Sequence, residues 1–360
     1  MPGTPQLKQF FSKAFNLVVL EKSRMPWVDY LRGIAIVLVV YRHVLIGIER
    51  TGRSIPVLLE QANMIFFSFR MPLFFILSGL FISSSIAKRT IKKLVAIKFE
   101  NLLYPYLIWA FLQTTLQIVL SNYTNAERTL EDYTYIFYQP RGLDQFWYLP
   151  ALFNTTVIYI LVKTKLRLQN WMQLLLGVAL YFTGPYLRNV SMMSDWMEFY
   201  IFFAIGDSLS GLFFKHPAQR FLNSSLTLLL IVPIFAFTQY YYVKNFDVIT
   251  HVEFLTISLI GCVSMFVFAF RLQRLNILSF LRVLGFHSLY IYVMHVIVSA
   301  FVRLVLTKLM GITDPVILLF SGIATGVIIP VMLYNLIIKK KLWFLFTYHK
   351  PKATQAGEVQ

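Results

Sequence analysis

Residues 28–48 read VDYLRGIAIVLVVYRHVLIGI, and this stretch decides the class of fold. It is long and apolar enough to cross a bilayer as one helix, since about 20 such residues span the hydrocarbon core. It also carries Asp29, Arg32 and His43. Arg32 and His43 are eleven residues apart, about three helical turns, so their side chains point in nearly the same direction. Charged side chains are costly inside a bilayer and persist there in cavities or pairs, which makes this face a candidate functional site.

The rest of the chain continues this pattern of long apolar runs. Hydrophobic residues make up 58% of the 360 residues and charged residues 14%, whereas about 25% are charged in a soluble domain. The composition excludes a disordered chain and argues against a soluble enzyme. The runs are continuous and too long for the strands of a membrane barrel. We therefore predict an all-α polytopic membrane protein with about ten transmembrane helices, near residues 28–48, 63–85, 101–121, 146–162, 170–187, 196–214, 221–243, 250–270, 283–307 and 315–338.

The distribution of charge predicts the orientation of these helices. The chain has 33 Lys and Arg against 16 Asp and Glu, a formal net charge of +17. The cations form short clusters between the apolar runs and not one basic domain, so we predict no nucleic-acid partner. With the N-terminus inside, every inner connection is basic, which predicts cytosolic termini. The expected location is the bacterial inner (cytoplasmic) membrane, as a multi-pass protein.

The chain divides into one integral domain and two short flanking segments. Residues 1–24 carry apolar side chains at helical spacing and are expected to lie on the inner membrane surface. Residues 25–340 form the membrane domain, and residues 341–360 form a cytosolic tail. The one cysteine, Cys262, cannot form an intrachain disulfide or a cysteine-based metal site. No metal-binding or ATP-binding motif is recognised, so we predict no metal cofactor.

Further ionisable residues lie within the predicted helices. Arg70 lies in the second helix at nearly the depth of His43, and we predict that both side chains face one polar cavity. His295 lies near the middle of the ninth helix, and Asp207 lies near the inner end of the sixth. A single buried histidine is more often a core residue with its hydrogen bonds satisfied than a catalyst, and both interpretations stay open. Two cations near the outer helix ends, Arg42 and Arg303, are expected to reach the membrane boundary.

The inner loop after the second helix is rich in lysine. It contains Lys92, Lys93 and Lys98. Any inner loop collects cations, but such a cluster also suits the phosphates of a cytosolic ligand.

Five motifs occur in order and together resemble the acyltransferase 3 family of membrane O-acyltransferases, and in particular fucose 4-O-acetylase-like proteins. They are DYLRGIAI at 29–36 with His43, RMPLFFILSG at 70–79, LLYPYLIW at 102–109, FWYLPALF at 146–153 and GFHSLYIY at 285–292 with His295. The resemblance implies transfer of an acetyl group from acetyl-CoA to a hydroxyl of a sugar or another cell-envelope molecule. It also implies a catalytic role for His43 and a shared motif with Arg32. Relatives often carry two basic residues before the third helix, where this chain has Lys98 and Asn101.

These observations lead to one hypothesis and one alternative. In the hypothesis, His43 is a general base and Arg70 stabilises the oxyanion, while Arg32, Lys92, Lys93 and Lys98 hold acetyl-CoA. An acyl-histidine intermediate is a variant, and Asp29, Asp207 and His295 are further candidates. The partners are the lipid bilayer and a sugar or envelope-glycan acceptor, and the oligomeric state is left open. The alternative is a proton-coupled secondary transporter or flippase of an envelope precursor.

Overall fold

The computed structural model describes residues 5–21, 25–121 and 128–350, and these residues form helices with no β-strand. The helices are α1 Pro5–Phe15, α2 Pro26–Glu49, α3 Val57–Ile65, α4 Phe67–Leu80, α5 Ile82–Lys88, α6 Ile91–Lys98, α7 Tyr104–Val119, α8 Tyr135–Tyr138, α9 Tyr148–Thr164, α10 Asn170–Thr183, α11 Ser191–Phe213, α12 His216–Asn223, α13 Ser225–Lys244, α14 His251–Leu275, α15 Phe280–Phe286, α16 Ser288–Leu304, α17 Pro315–Leu333 and α18 Lys339–Lys341. The all-α membrane fold is therefore confirmed.

The number of membrane-crossing helices is close to the predicted ten. Within the described residues, eight helical stretches are long and apolar enough to cross a membrane. A ninth is reached if α11 and α12, which meet at a bend of 105°, form one broken span. The remaining predicted span corresponds to α10, whose 14 residues extend only about 21 Å, less than the roughly 30 Å of a hydrocarbon core. The count of ten and the cytosolic termini stay predictions.

The first membrane helix, α2, lies at the centre of the bundle. It packs against α4, α14, α15, α16 and α17. The crossing with α15 is very close, because a Cβ atom at Gly33 or at Gly285 would collide with the backbone of the other helix. Small residues at a crossing allow two helix backbones to approach in this way. This contact fixes the end of α2 that carries Asp29 and Arg32.

A proline shapes the helix that carries Arg70. Pro72 lies inside α4 and has no N–H to donate to the carbonyl group of Ser68. The Ser258 hydroxyl of α14 donates to that carbonyl oxygen at 2.7 Å. The backbone group freed by the proline is therefore satisfied by a neighbouring helix, and this bond ties α4 to α14 one turn before Pro72.

The two ends of the chain pack onto the same side of the bundle. The side chain of Asn335 donates to the backbone oxygen of Ala14 at 3.1 Å. Near the other terminus, the hydroxyl of Tyr104 donates to the backbone oxygen of Phe344 at 2.6 Å. In α1, Leu7 and Phe10 expose 49% and 45% of their surface, as a membrane-surface helix requires, and that placement stays a prediction. Residues 1–4, 22–24 and 351–360, part of the predicted terminal segments, lie outside the described residues.

Candidate active site

A cavity of about 1670 Å³ enters the bundle and is lined by His43 and Arg70, the two residues that were expected to face one polar cavity, but not by Arg32. Its wall includes His43 from α2, Arg70 from α4 and His295 from α16. It also reaches residues at the helix ends that are predicted to be outer, among them Arg50 and Arg188. The wall combines these groups with aromatic side chains, which is the usual make-up of a ligand site.

Two histidines lie side by side in this cavity. The His43 and His295 rings have their centroids 5.2 Å apart and meet edge to face at 60°. His295 is fully buried, and its Nδ1 lies 2.8 Å from the backbone oxygen of Tyr292 and 3.0 Å from that of Ile291. A carbonyl oxygen only accepts, so Nδ1 carries the proton and Nε2 is an acceptor. Among the described residues, nothing donates to this Nε2 atom.

Arg70 is almost completely buried, with 2% of its surface exposed. It donates to the backbone oxygen of Leu38 at 2.5 Å and to Oδ1 of Asn63 at 3.3 and 3.4 Å. Both acceptors are neutral. A guanidinium group has five N–H donors, and these bonds leave some of them available to a ligand. The bond to Leu38 also fixes α4 against the α2 backbone one turn before His43.

Two further arginines lie on the cavity wall although the sequence did not predict them there. Arg42 and Arg303, which we expected at the membrane boundary, both line the cavity. The Arg42 guanidinium lies 4.7 Å from the centre of the Phe67 ring. Arg303 packs against Gly47, where any Cβ atom would displace it. The position of Arg42 next to His43 could have indicated that it lies on the cavity wall. No neighbouring residue in the sequence indicates this for Arg303.

Two of the predicted donor-side residues, Arg32 and Lys98, lie near each other towards the opposite end of α2. Arg32 and Arg89 lie within electrostatic range of Lys98. Lys98 is half-buried, whereas Lys92 and Lys93 are exposed. Counting along α2, Arg32 is about 16 Å from His43. Two basic regions therefore lie towards opposite ends of α2, one around Lys98 and one in the cavity.

The two predicted acids lie outside the wall of the cavity. Asp29 is fully buried where α2 crosses α15. Asp207 is bound on three sides, by the ammonium of Lys163, by the hydroxyl of Tyr159 at 2.7 Å and by that of Ser83 at 2.5 Å. These bonds link α5, α9 and α11. The arrangement around Asp207 is that of a buried ion pair which joins helices, and it leaves the carboxylate little freedom for proton transfer.

Comparison with known proteins gives one match. A family model described as an acyltransferase domain, that of the acyltransferase 3 family, matches residues 25–335. No curated protein and no solved structure matches the chain. The match covers α2 to α17 and includes every wall residue discussed above.

Proposed function

The chain belongs to the acyltransferase 3 family and is a membrane acyltransferase, and from that membership we propose that it moves an acyl group, in the first instance acetyl, from acyl-CoA to a hydroxyl of a sugar or cell-envelope acceptor. The observation that carries this proposal is the position of His43 and Arg70 on the wall of one large cavity. A proton acceptor and a cationic hydrogen-bond donor are the two groups that acyl transfer to a hydroxyl requires.

His43 acts as the general base in this reaction. A nitrogen of the neutral ring takes the proton of the acceptor hydroxyl, and the oxygen forms a bond to the thioester carbonyl carbon. When the tetrahedral intermediate collapses, the carbon–sulfur bond breaks and the ester remains on the acceptor. The CoA thiolate leaves and takes the proton back from the His43 imidazolium. Each proton and electron pair is thus accounted for without a further reactant.

Arg70 stabilises the negative charge that develops on the carbonyl oxygen. It is held by Leu38 and Asn63 and does not need to be ordered when the substrate binds. Donors that are already oriented in a water-poor site contribute about 2.7–4 kcal/mol to such a transition state. Arg70 therefore supports the reaction step more than the binding of the acceptor.

His295 acts on the reaction through His43 and is a positioning residue. Its Nδ1–H is held by its own helix, so its Nε2 atom can only accept a proton or a hydrogen bond. The imidazolium that His43 becomes during transfer has two N–H groups, one more than the neutral ring. Nε2 of His295, in the adjacent ring, is an acceptor for the N–H that the His43 ring keeps throughout, which leaves the other His43 nitrogen to face the acceptor hydroxyl.

The acyl donor binds at the other end of α2. Arg32, Lys92, Lys93 and Lys98 offer cations to the phosphates of acyl-CoA, and the thioester reaches from there toward His43. The bacterial inner membrane remains the proposed location, with the donor on the cytosolic side.

The test uses the purified protein in lipid nanodiscs with acetyl-CoA and a panel of sugars. We expect release of the CoA thiol that depends on one of the sugars, together with an acetylated sugar in the mass spectrum. Uptake or counterflow of a labelled sugar in vesicles without CoA, and no acylated product with it, would contradict the proposal and favour a transporter.

A further inference from the structure

The cavity that contains His43 is strongly cationic. Among the described residues on its wall, eight are Lys or Arg and two are Asp or Glu. Both acids already have partners, because Asp144 pairs with Arg50 at 2.7 Å and Glu198 pairs with Arg188 at 3.6 Å. The other wall cations obtain no charge compensation from these two carboxylates.

Some arginines of the cavity wall have no ion pair among the described residues, although the exposed carboxylate of Glu49 lies within electrostatic range of Arg42. Arg141 forms an ion pair with Asp195 at 2.5 Å, and Asp195 is not itself part of the cavity wall. Within the described part of the chain, Arg42, Arg70 and Arg303 have no carboxylate within ion-pair distance. A buried charge without a partner of opposite sign is costly. Arg70 is buried and Arg42 and Arg303 are half-buried, and this excess of positive charge indicates that a ligand supplies negative charge.

Two of these arginines converge on one place. The Phe67 ring centre lies 4.7 Å from the guanidinium carbon of Arg42 and 5.9 Å from that of Arg70. Arg42 and Arg70 are within electrostatic range of each other, as are Arg42 and Arg141. Arg42 also lies within electrostatic range of His43, and both residues line the cavity. Any anion bound by Arg42 is therefore close to the imidazole.

We propose that the acyl acceptor is an anion: an acidic sugar whose carboxylate or phosphate binds Arg42 while one of its hydroxyls lies at His43. This inference rests on the proposed acyl transfer and names the class of its acceptor. A guanidinium group binds carboxylate and phosphate oxygens in pairs, which fixes the orientation of the sugar as well as holding it. Since Arg42 and His43 line one cavity within electrostatic range of each other, the anionic group and the reacting hydroxyl lie on the same sugar ring or on neighbouring ones.

The phosphates of acyl-CoA are a second possible source of negative charge. The predicted orientation places the mouth of the cavity on the outer face, whereas acyl-CoA is cytosolic. The region around Arg32 and Lys98 supplies cations on the inner side. The acceptor is therefore the anion that the cavity binds, and the experiment separates the two sources.

The first arm measures binding, which does not depend on turnover. The full-length protein in phosphatidylcholine nanodiscs is titrated by calorimetry with glucuronate, galacturonate and glucose 1-phosphate, and with glucose and galactose as neutral counterparts. We expect at least one acidic sugar to bind about tenfold more tightly than its neutral counterpart, the gain of one charge-assisted bond. Arg42→Gln removes this preference, and Arg42→Lys retains part of it. Arg220→Gln, at an exposed arginine of α12, leaves it unchanged. Equal or absent binding of all the acidic sugars would overturn the proposal.

The second arm measures acyl-CoA and turnover. We expect Arg42→Gln to leave the dissociation constant of CoA unchanged. If this variant weakens CoA binding about tenfold and leaves sugar binding intact, the cavity is the donor site and the proposal is wrong. If neutral and acidic sugars are acylated with equal kcat/KM, the proposed anionic acceptor is wrong, whereas the proposed acyl transfer stands. Binding of acidic sugars through Arg42 without any acyl transfer would instead contradict the proposed function.

Discussion

Replacement of Arg70 by Met separates the effect of this residue on catalysis from its effect on stability. Arg70 is 2% exposed and makes one short bond, to Leu38 at 2.5 Å, and two long ones to Asn63. Loss of the short, charge-assisted bond costs about 1.5–3 kcal/mol. Removal of a buried charge without a carboxylate partner returns several kcal/mol. The free energy of unfolding should therefore stay within about 2 kcal/mol of the wild-type value.

The effect of Arg70→Met on the reaction should be much larger. Loss of an oxyanion donor lowers kcat by about 10²–10³-fold. We expect KM for the acceptor to change by less than about threefold, since the interaction is made in the transition state. The assay combines thermal melting in detergent with steady-state release of CoA. A melting temperature near that of the wild type together with a nearly unchanged kcat would refute the role of Arg70, as would a large rise in KM alone.

Three further predictions address the framework and the donor side. Gly285→Ala should lower the melting temperature and the yield of folded protein, because its Cβ collides with the α2 backbone, whereas Gly211→Ala should be harmless because no atom lies within 4 Å of its Cβ. Lys163→Met should destabilise the protein by about 3 kcal/mol in thermal or denaturant melts, since it leaves Asp207 charged and buried. The double variant with Asp207→Asn should recover most of this loss, and failure to recover would show that the ion pair is not the cause. Lys98→Gln should raise KM for acetyl-CoA about tenfold in a CoA-release assay and leave kcat unchanged; a fall in kcat alone would contradict its role in binding the donor.

Much of the fold could be predicted because the bilayer imposes a simple rule on the sequence. An apolar run that is long enough to span the core has to be a helix, since lipid offers no partner to backbone groups. The shortfall at α10 and the bend between α11 and α12 could not be predicted in the same way. Both features depend on how neighbouring helices pack around these segments, and the hydropathy of a sequence carries no information about such packing.

The candidate site was predictable along one helix and between adjacent helices, but not across the bundle. His43 and Arg70 could be related by their depth and by the short connection between their helices. The contact of His43 with His295 joins residues 252 positions apart, and no local pattern encodes that distance. Arg303 reaches the cavity for the same reason, through the packing of α16 against α2. Asp207 was a candidate for function, and its ion pair with Lys163, which joins α9 to α11, was not evident from the sequence.

The measurement that bears most directly on His43 is a comparison of two histidine variants. His43→Gln keeps a polar side chain of similar size in the cavity but removes the base, and His216→Gln changes an exposed histidine on α12. Both purified proteins are assayed for acetyl-CoA-dependent acylation of the acceptor, with melting temperatures as a check on folding. A general-base role of His43 predicts that His43→Gln lowers kcat by about 10²–10⁴-fold and that His216→Gln has no effect. A folded His43→Gln protein that turns over at the wild-type rate would contradict it.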